Sequence, residues 1–143
     1  MIRKETMDRL SRARVLLADD NAMVADQIRE LLAETFEVVG VVGSGEDLET
    51  AFESLGPDVV VTDVVMPGEG GLMAAQRILQ RYPGTPIVLM SVLGEAPLIR
   101  ASLASGVLGY VVKHDAAAEL VPAVLTALDG GSYVSATGRA PPG

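Results

Sequence analysis

The chain contains no cysteine and no tryptophan, one histidine and only 3% aromatic residues, and its 11 Lys and Arg are outnumbered by 19 Asp and Glu. Without cysteine there are no disulfides, no zinc-thiolate sites and no thiol chemistry. The lone histidine, His114, follows Lys113 with no acidic partner completing a triad, and reads as a solvated loop residue. A net charge of -8 argues against this chain gripping phosphate backbones by itself, because that binding rests on Lys and Arg. Any DNA contact must come from elsewhere. No apolar run approaches the ~20 residues that a membrane span requires, and Met1 to Arg14 is charged and polar, so the expectation is a cytoplasmic protein away from membranes.

What the sequence does contain is a set of short apolar runs that end on polar residues. Val15-Leu16-Leu17-Ala18 runs into Asp19-Asp20, Val59-Val60-Val61-Thr62 into Asp63, Ile87-Val88-Leu89-Met90 into Ser91, and Tyr110-Val111-Val112 into Lys113. Continuous β-branched and apolar runs suit strands buried on both faces of a parallel sheet, and ligands of such sheets bind beyond the strands' carboxyl ends. The polar residues therefore meet in one pocket. Crowded carboxylates repel one another, so Asp19, Asp20 and Asp63 call for a cation, and oxygen-only ligands point to Mg²⁺. Lys113 and Ser91 complete a phosphoryl-binding site. Taken singly, the acidic pair is an ordinary cap, Ser91 a polar strand end and Lys113 a surface lysine; their joint placement at four strand ends favours the site.

Between these runs the apolar spacing turns helical. Asn21 to Thr35 carries Val24, Ile28, Leu31 and Leu32, and Glu37 to Val42 reads as a strand. Ser44 caps a helix that continues to Leu55, where Gly56-Pro57 stops it. Pro67 to Gly71 reads as a loop, Leu72 to Arg81 as a helix, about Pro97 to Ser105 as a short helix and the stretch to Leu128 as the last. Pro122 in that last stretch either kinks the helix or lies in the first turn of one that starts late. Strict alternation implies an α/β, flavodoxin-like, doubly wound sheet of five parallel strands in the order 2-1-3-4-5, with helices on both faces. Residues 1–11 form an N-terminal extension, 12–129 the folded domain, and 130–143 a linker or disordered tail.

From Arg12 to Leu128 this arrangement resembles the receiver domain of two-component response regulators. The likeness lies in Asp19-Asp20, in Asp63 followed by Met66-Pro67 and Gly71, in Ser91, and in Gly109-Tyr110-Val111-Val112-Lys113. It implies that Asp63 accepts a phosphoryl group from a sensor histidine kinase. Asp20, Asp63 and the backbone carbonyl of Val65 would ligate Mg²⁺, with Asp19 acting partly through water, and Ser91 and Lys113 would bind phosphoryl oxygens. Ser91 and Tyr110 would form the switch that carries the event to the outer face of the fourth helix, fifth strand and fifth helix, although a tyrosine in an apolar strand also serves as a core residue. Such a domain is a signalling phospho-acceptor, catalysing only its own phosphorylation and dephosphorylation. The Gly109-Tyr110 strand and Lys113-His114-Asp115 turn resemble the branch with helix-turn-helix outputs. Transcription is then the expected output and DNA is reached only through an output domain that these 143 residues do not contain, whether the chain is cut before it or stands alone.

Some positions depart from the family's pattern. Val92 replaces a small residue, Val65 and Leu93 are apolar where polar residues tune phosphoryl loss, and Gly70 stands where an Asp often caps the third helix. Two alternatives remain in view: a phosphatase of the haloacid-dehalogenase class, whose second acid would fall at Val65, and a flavodoxin-like cofactor binder, which finds few aromatics and no Gly-rich phosphate cradle. The helical stretches around the fifth strand carry only Arg100 and Glu119 as charges, which points to a homodimer through that face.

Overall fold

The computed structural model describes residues 13–135. Its elements alternate as expected: β1 (Arg14–Ala18), α1 (Ala22–Ala33), β2 (Glu37–Val42), α2 (Gly45–Leu55), β3 (Val59–Asp63), α3 (Gly70–Arg81), β4 (Ile87–Ser91), α4 (Ala96–Ala104), β5 (Gly109–Val112), a single 3-10 turn at Lys113–Asp115, α5 (Ala116–Leu128) and β6 (Tyr133–Val134). All strand pairings are parallel, in the order β2-β1-β3-β4-β5-β6.

Side chains alternate across a strand, so each apolar run supplies both faces of the sheet. Val15, Leu17, Val59, Val61, Val88, Met90 and Val111 point to one side, where Ile28 and Leu32 of α1 and Leu120, Val124 and Ala127 of α5 cover them. Leu16, Ala18, Val60, Ile87, Leu89 and Tyr110 point to the other, beneath Leu48 and Phe52 of α2, Ala74 and Ile78 of α3 and Ile99 of α4. β3, β4 and β5 are buried at every position, which is why their sequences are unbroken apolar runs and why their polar ends stand out. Each fully buried Leu or Val contributes roughly 1.5–3 kcal/mol.

Three expectations need correcting. Among the described residues the expected five strands stand in the expected order and a sixth is added: Tyr133–Val134, inside the stretch read as a linker or tail, pairs with Gly109 and Tyr110 of β5. The tail reading therefore fails for 130–135, where the backbone amides of Tyr133 and Ser135 find carbonyl partners at Leu108 and Tyr110 along the open β5 edge. Residues 136–143 and the extension at 1–11 lie outside the described residues. Next, α3 begins at Gly70, within the stretch read as a loop, and lacks a side-chain cap because Glu69 occupies the cap position. Pro122, finally, does not delay α5; it sits inside a helix that is continuous from Ala116 to Leu128, with its ring exposed.

The helices around β5 are less apolar outside than their composition implies. Leu120, Ala123 and Val124 are buried, and Leu98, Leu103 and Leu128 pack against the two cores. None of the large exposed hydrophobics lies on α4, β5 or α5; apart from Arg100 the exposed positions there are small residues such as Ala101, Ala104, Ala118 and Pro122.

Candidate functional site

Strand register places the site. Ala18 lies beside Thr62, Asp63 beside Met90 and Ser91 beside Val112, so the four strands end at one level and the residues at or just after those ends face a common space. Asp19, Asp20 and Asp63 each bring a carboxylate oxygen within 4.8 Å of the others. Asp19 and Asp63 are buried, whereas Asp20 is exposed at the mouth. Lys113 reaches back over the strand ends: its Nζ donates to Asp63 Oδ2 at 2.8 Å and to Asp19 Oδ2 at 3.0 Å. Asp19 is fixed from the other side, its Oδ1 accepting from the backbone amide of Asn21 at 2.9 Å, and Asn21 in turn caps α1.

Burial pushes the Asp63 carboxyl above the usual carboxylate range, and the charge of Asp19 adds to this, while Lys113 and the backbone amide of Val65 oppose it. For Lys113 burial works downward, yet Asp63 and Asp19 outweigh it and raise the ammonium. The pocket thus holds a charged lysine against a carboxylate that gains from any further positive charge. Carboxylates outnumber the ammonium three to one, and a hard divalent cation suits such an oxygen-only set.

Ser91 and Tyr110 meet on one residue. The Ser91 hydroxyl accepts from the Leu93 amide at 3.0 Å, and the Tyr110 hydroxyl donates to the Leu93 carbonyl at 2.7 Å. The Tyr110 ring is wholly buried in the core, and burial raises its phenol against the opposing hydrogen bond of Ser91. Val65 and Val92 are 68% and 74% exposed and Leu93 44%, so these apolar residues rim the site without closing it. His114 is exposed, 3.4 Å from Asp115, and makes no contact with the carboxylate cluster.

Several residues support the site from outside the strand ends, and of these only Gly71 carries a signal in the sequence. Gly71 packs so closely under β3 that a Cβ there would collide with the Asp63 carbonyl and the Thr62 hydroxyl. The loop after Asp63 is tied to α2: Arg77 pairs with Glu69 and Glu49, and the Glu69 amide donates to Glu46. A mainly apolar groove of about 510 Å³ is lined by Val24, Ile28, Leu31, Val92 and Ala117, with Gln27, His114 and Lys113 itself as its polar members.

Comparisons with known proteins agree with this geometry. The family model described as the response regulator receiver domain matches residues 15–125. Response regulator GacA of Pseudomonas viridiflava is 38% identical over 124 residues, covering 85% of this chain and 58% of that protein. Response regulator UvrY of Escherichia coli K12 is 34% identical, covering 85% and 56%. The chain therefore spans little more than half the length of these curated relatives. Among solved structures, a LuxR-family two-component response regulator from Aurantimonas superposes with a TM-score of 0.84 at 28% identity, over 87% of this chain and 91% of that one. The isolated receiver of RcsB from Salmonella enterica, solved with the phosphomimetic BeF₃⁻, gives 0.79 at 25% identity, over 88% and 95%.

Proposed function

The chain belongs to the response regulator receiver family, and we propose that it takes a phosphoryl group from a sensor histidine kinase onto Asp63 and relays that event to an output controlling transcription. One observation carries the assignment: the Lys113 ammonium rests on Asp63 at the carboxyl end of the sheet, with Asp19 and Asp20 beside them. A lone pair of an Asp63 carboxylate oxygen forms the new O–P bond while the donor's P–N bond breaks, its electron pair returning to the imidazole nitrogen. The transition state is loose and its charge spread, so positioning and positive charge do most of the work. Lys113 moves from Asp63 Oδ2 onto a phosphoryl oxygen, remaining anchored by Asp19. Asp19, Asp20, Asp63 and the Val65 carbonyl would hold Mg²⁺, which supplies further positive charge to the phosphoryl oxygens.

The contacts on Leu93 support the switch. A phosphoryl oxygen competes with the Leu93 amide for Ser91, and once Ser91 turns inward the Leu93 carbonyl that anchors Tyr110 is freed to move. The apolar groove beside Lys113 offers a protein phosphodonor a surface next to the acceptor. The phosphatase alternative is not favoured: its second acid would stand at Val65. Among the described residues no helix is long and apolar enough to cross a membrane, which is compatible with the proposed cytoplasmic setting. RcsB has been solved bound to DNA and as dimers on DNA; for this chain we propose DNA control through an output domain, and a homodimer through α4, β5 and α5 with β6 laid along that edge.

Incubation with acetyl phosphate and Mg²⁺, followed by intact mass measurement, tests the central step. The wild type should gain one phosphoryl group, and Asp63→Asn and Mg²⁺-free wild type should not; equal gain in Asp63→Asn would refute the assignment.

A further inference from the structure

The segment after α5 reaches the site from an unexpected direction. Gly131 donates its amide to the Thr126 carbonyl, turning the chain back along β5, where Tyr133 and Ser135 add their amides to the carbonyls of Leu108 and Tyr110 at 2.8 and 2.9 Å. The Tyr133 hydroxyl donates to Glu119 of α5 at 2.6 Å. These contacts carry Ser135 to a fully buried position against the turn that holds Lys113. Its hydroxyl accepts from the Val112 amide at 3.3 Å and donates to Asp115 Oδ2 at 3.1 Å. Val112 precedes Lys113 and Asp115 ends the 3-10 turn, so one hydroxyl clasps both sides of the residue that touches Asp63.

We propose that Ser135 is a positioning residue for Lys113: by bridging Val112 and Asp115 it fixes the turn from which the ammonium reaches Asp63 and Asp19, and so links docking of β6 to occupancy of the phosphoryl site. The inference rests on the phospho-acceptor reading of Asp63. A short 3-10 turn has poor hydrogen-bond geometry of its own, and the Lys113 ammonium sits at the end of a flexible four-carbon stem, so holding it on two carboxylates at once depends on where the turn places its backbone. The linkage is reciprocal: a phosphoryl group that holds Lys113 in place must favour the docked strand as much as the docked strand favours phosphorylation.

The test compares wild type, Ser135→Ala and Ser132→Ala, an exposed neighbour on the same segment. The readouts are the initial rate of acetyl phosphate modification at matched folded fraction and the NMR signal of the Lys113 ammonium. Ser135→Ala should slow modification roughly five-fold, the worth of about one hydrogen bond, and shift the Lys113 signal, while Ser132→Ala changes neither. Should Ser135→Ala fail to fold, Ser135→Cys keeps the volume with only a weak hydrogen-bonding group and should show the same loss. A wild-type rate with an unmoved lysine signal in the folded variant overturns the inference and leaves the reading of Asp63 intact. A wild-type protein that takes no phosphoryl group overturns both.

Discussion

Lys113 spends its single charge on two buried carboxylates, and that makes it the residue on which the unliganded pocket depends. Lys113→Met would leave Asp19 and Asp63 facing one another without a cation. Removing one partner of a buried pair costs ~3–5 kcal/mol, and the residual solvent access of Lys113 places this site at the lower end. Urea unfolding of Lys113→Met without Mg²⁺ should show that loss, with partial recovery on adding Mg²⁺ because the cation replaces the missing charge; an unchanged midpoint in both conditions would contradict the pairing. Asp63, Ser91 and Lys113 were legible from sequence because each is a polar residue ending an apolar run, and a buried strand has no other reason to end that way at four places. Ser135 was not: a serine after the short Tyr133-Val134 pair carries no pattern, and its role exists only through the edge it pairs with.

At the scale of elements, the loop and helix that follow Asp63 are set by close packing. Gly71 lies against the Asp63 carbonyl, and its backbone is not in the left-handed region, so space and not conformation demands glycine there. Gly71→Ala should push α3 away from β3 and cost about 3 kcal/mol, as overpacking does where backbone must yield; thermal unfolding within a degree of wild type would show that the helix start is looser than its contacts imply. The same packing explains why α3 begins earlier than its apolar spacing suggests: Gly70, with a φ of 79°, and Gly71 are buried at its start, and their lack of a side chain hides them from any periodicity. Pro122 shows the opposite limit. Its intrinsic penalty is real, yet α5 buries Leu120, Ala123, Val124 and Ala127 on the sheet, and tertiary packing carries the helix through the proline. Helices α1 and α2 were readable to within a few residues because Asn21 and Ser44 cap them with their own side chains. β6 was not, since two residues are too few to alternate.

The whole molecule is a sheet whose β5 edge is covered by its own chain, and this changes how a second copy can approach. A dimer through α4, β5 and α5 must use the small exposed residues of the two helices beside β6, because β5 itself is buried. Ala101 is exposed on α4 and Ala123 is buried, so a charge at 101 probes the interface where one at 123 would probe the core. Sedimentation of the phosphorylated protein at rising concentration should show dimers that Ala101→Glu weakens; a strict monomer, or a dimer indifferent to that charge, would refute the face. Composition had pointed to an apolar patch here because it counts residues without their direction, and most of the leucines turn inward. The functional reading, from the switch to the dimer, depends on Asp63 receiving the phosphoryl group. The most direct measurement is borohydride reduction of the protein after acetyl phosphate and Mg²⁺ treatment, followed by peptide mass spectrometry, since reduction converts an aspartyl phosphate to homoserine and marks its position. Homoserine at position 63 alone is the expected result; homoserine at 19 or 20, or at no position, would contradict it.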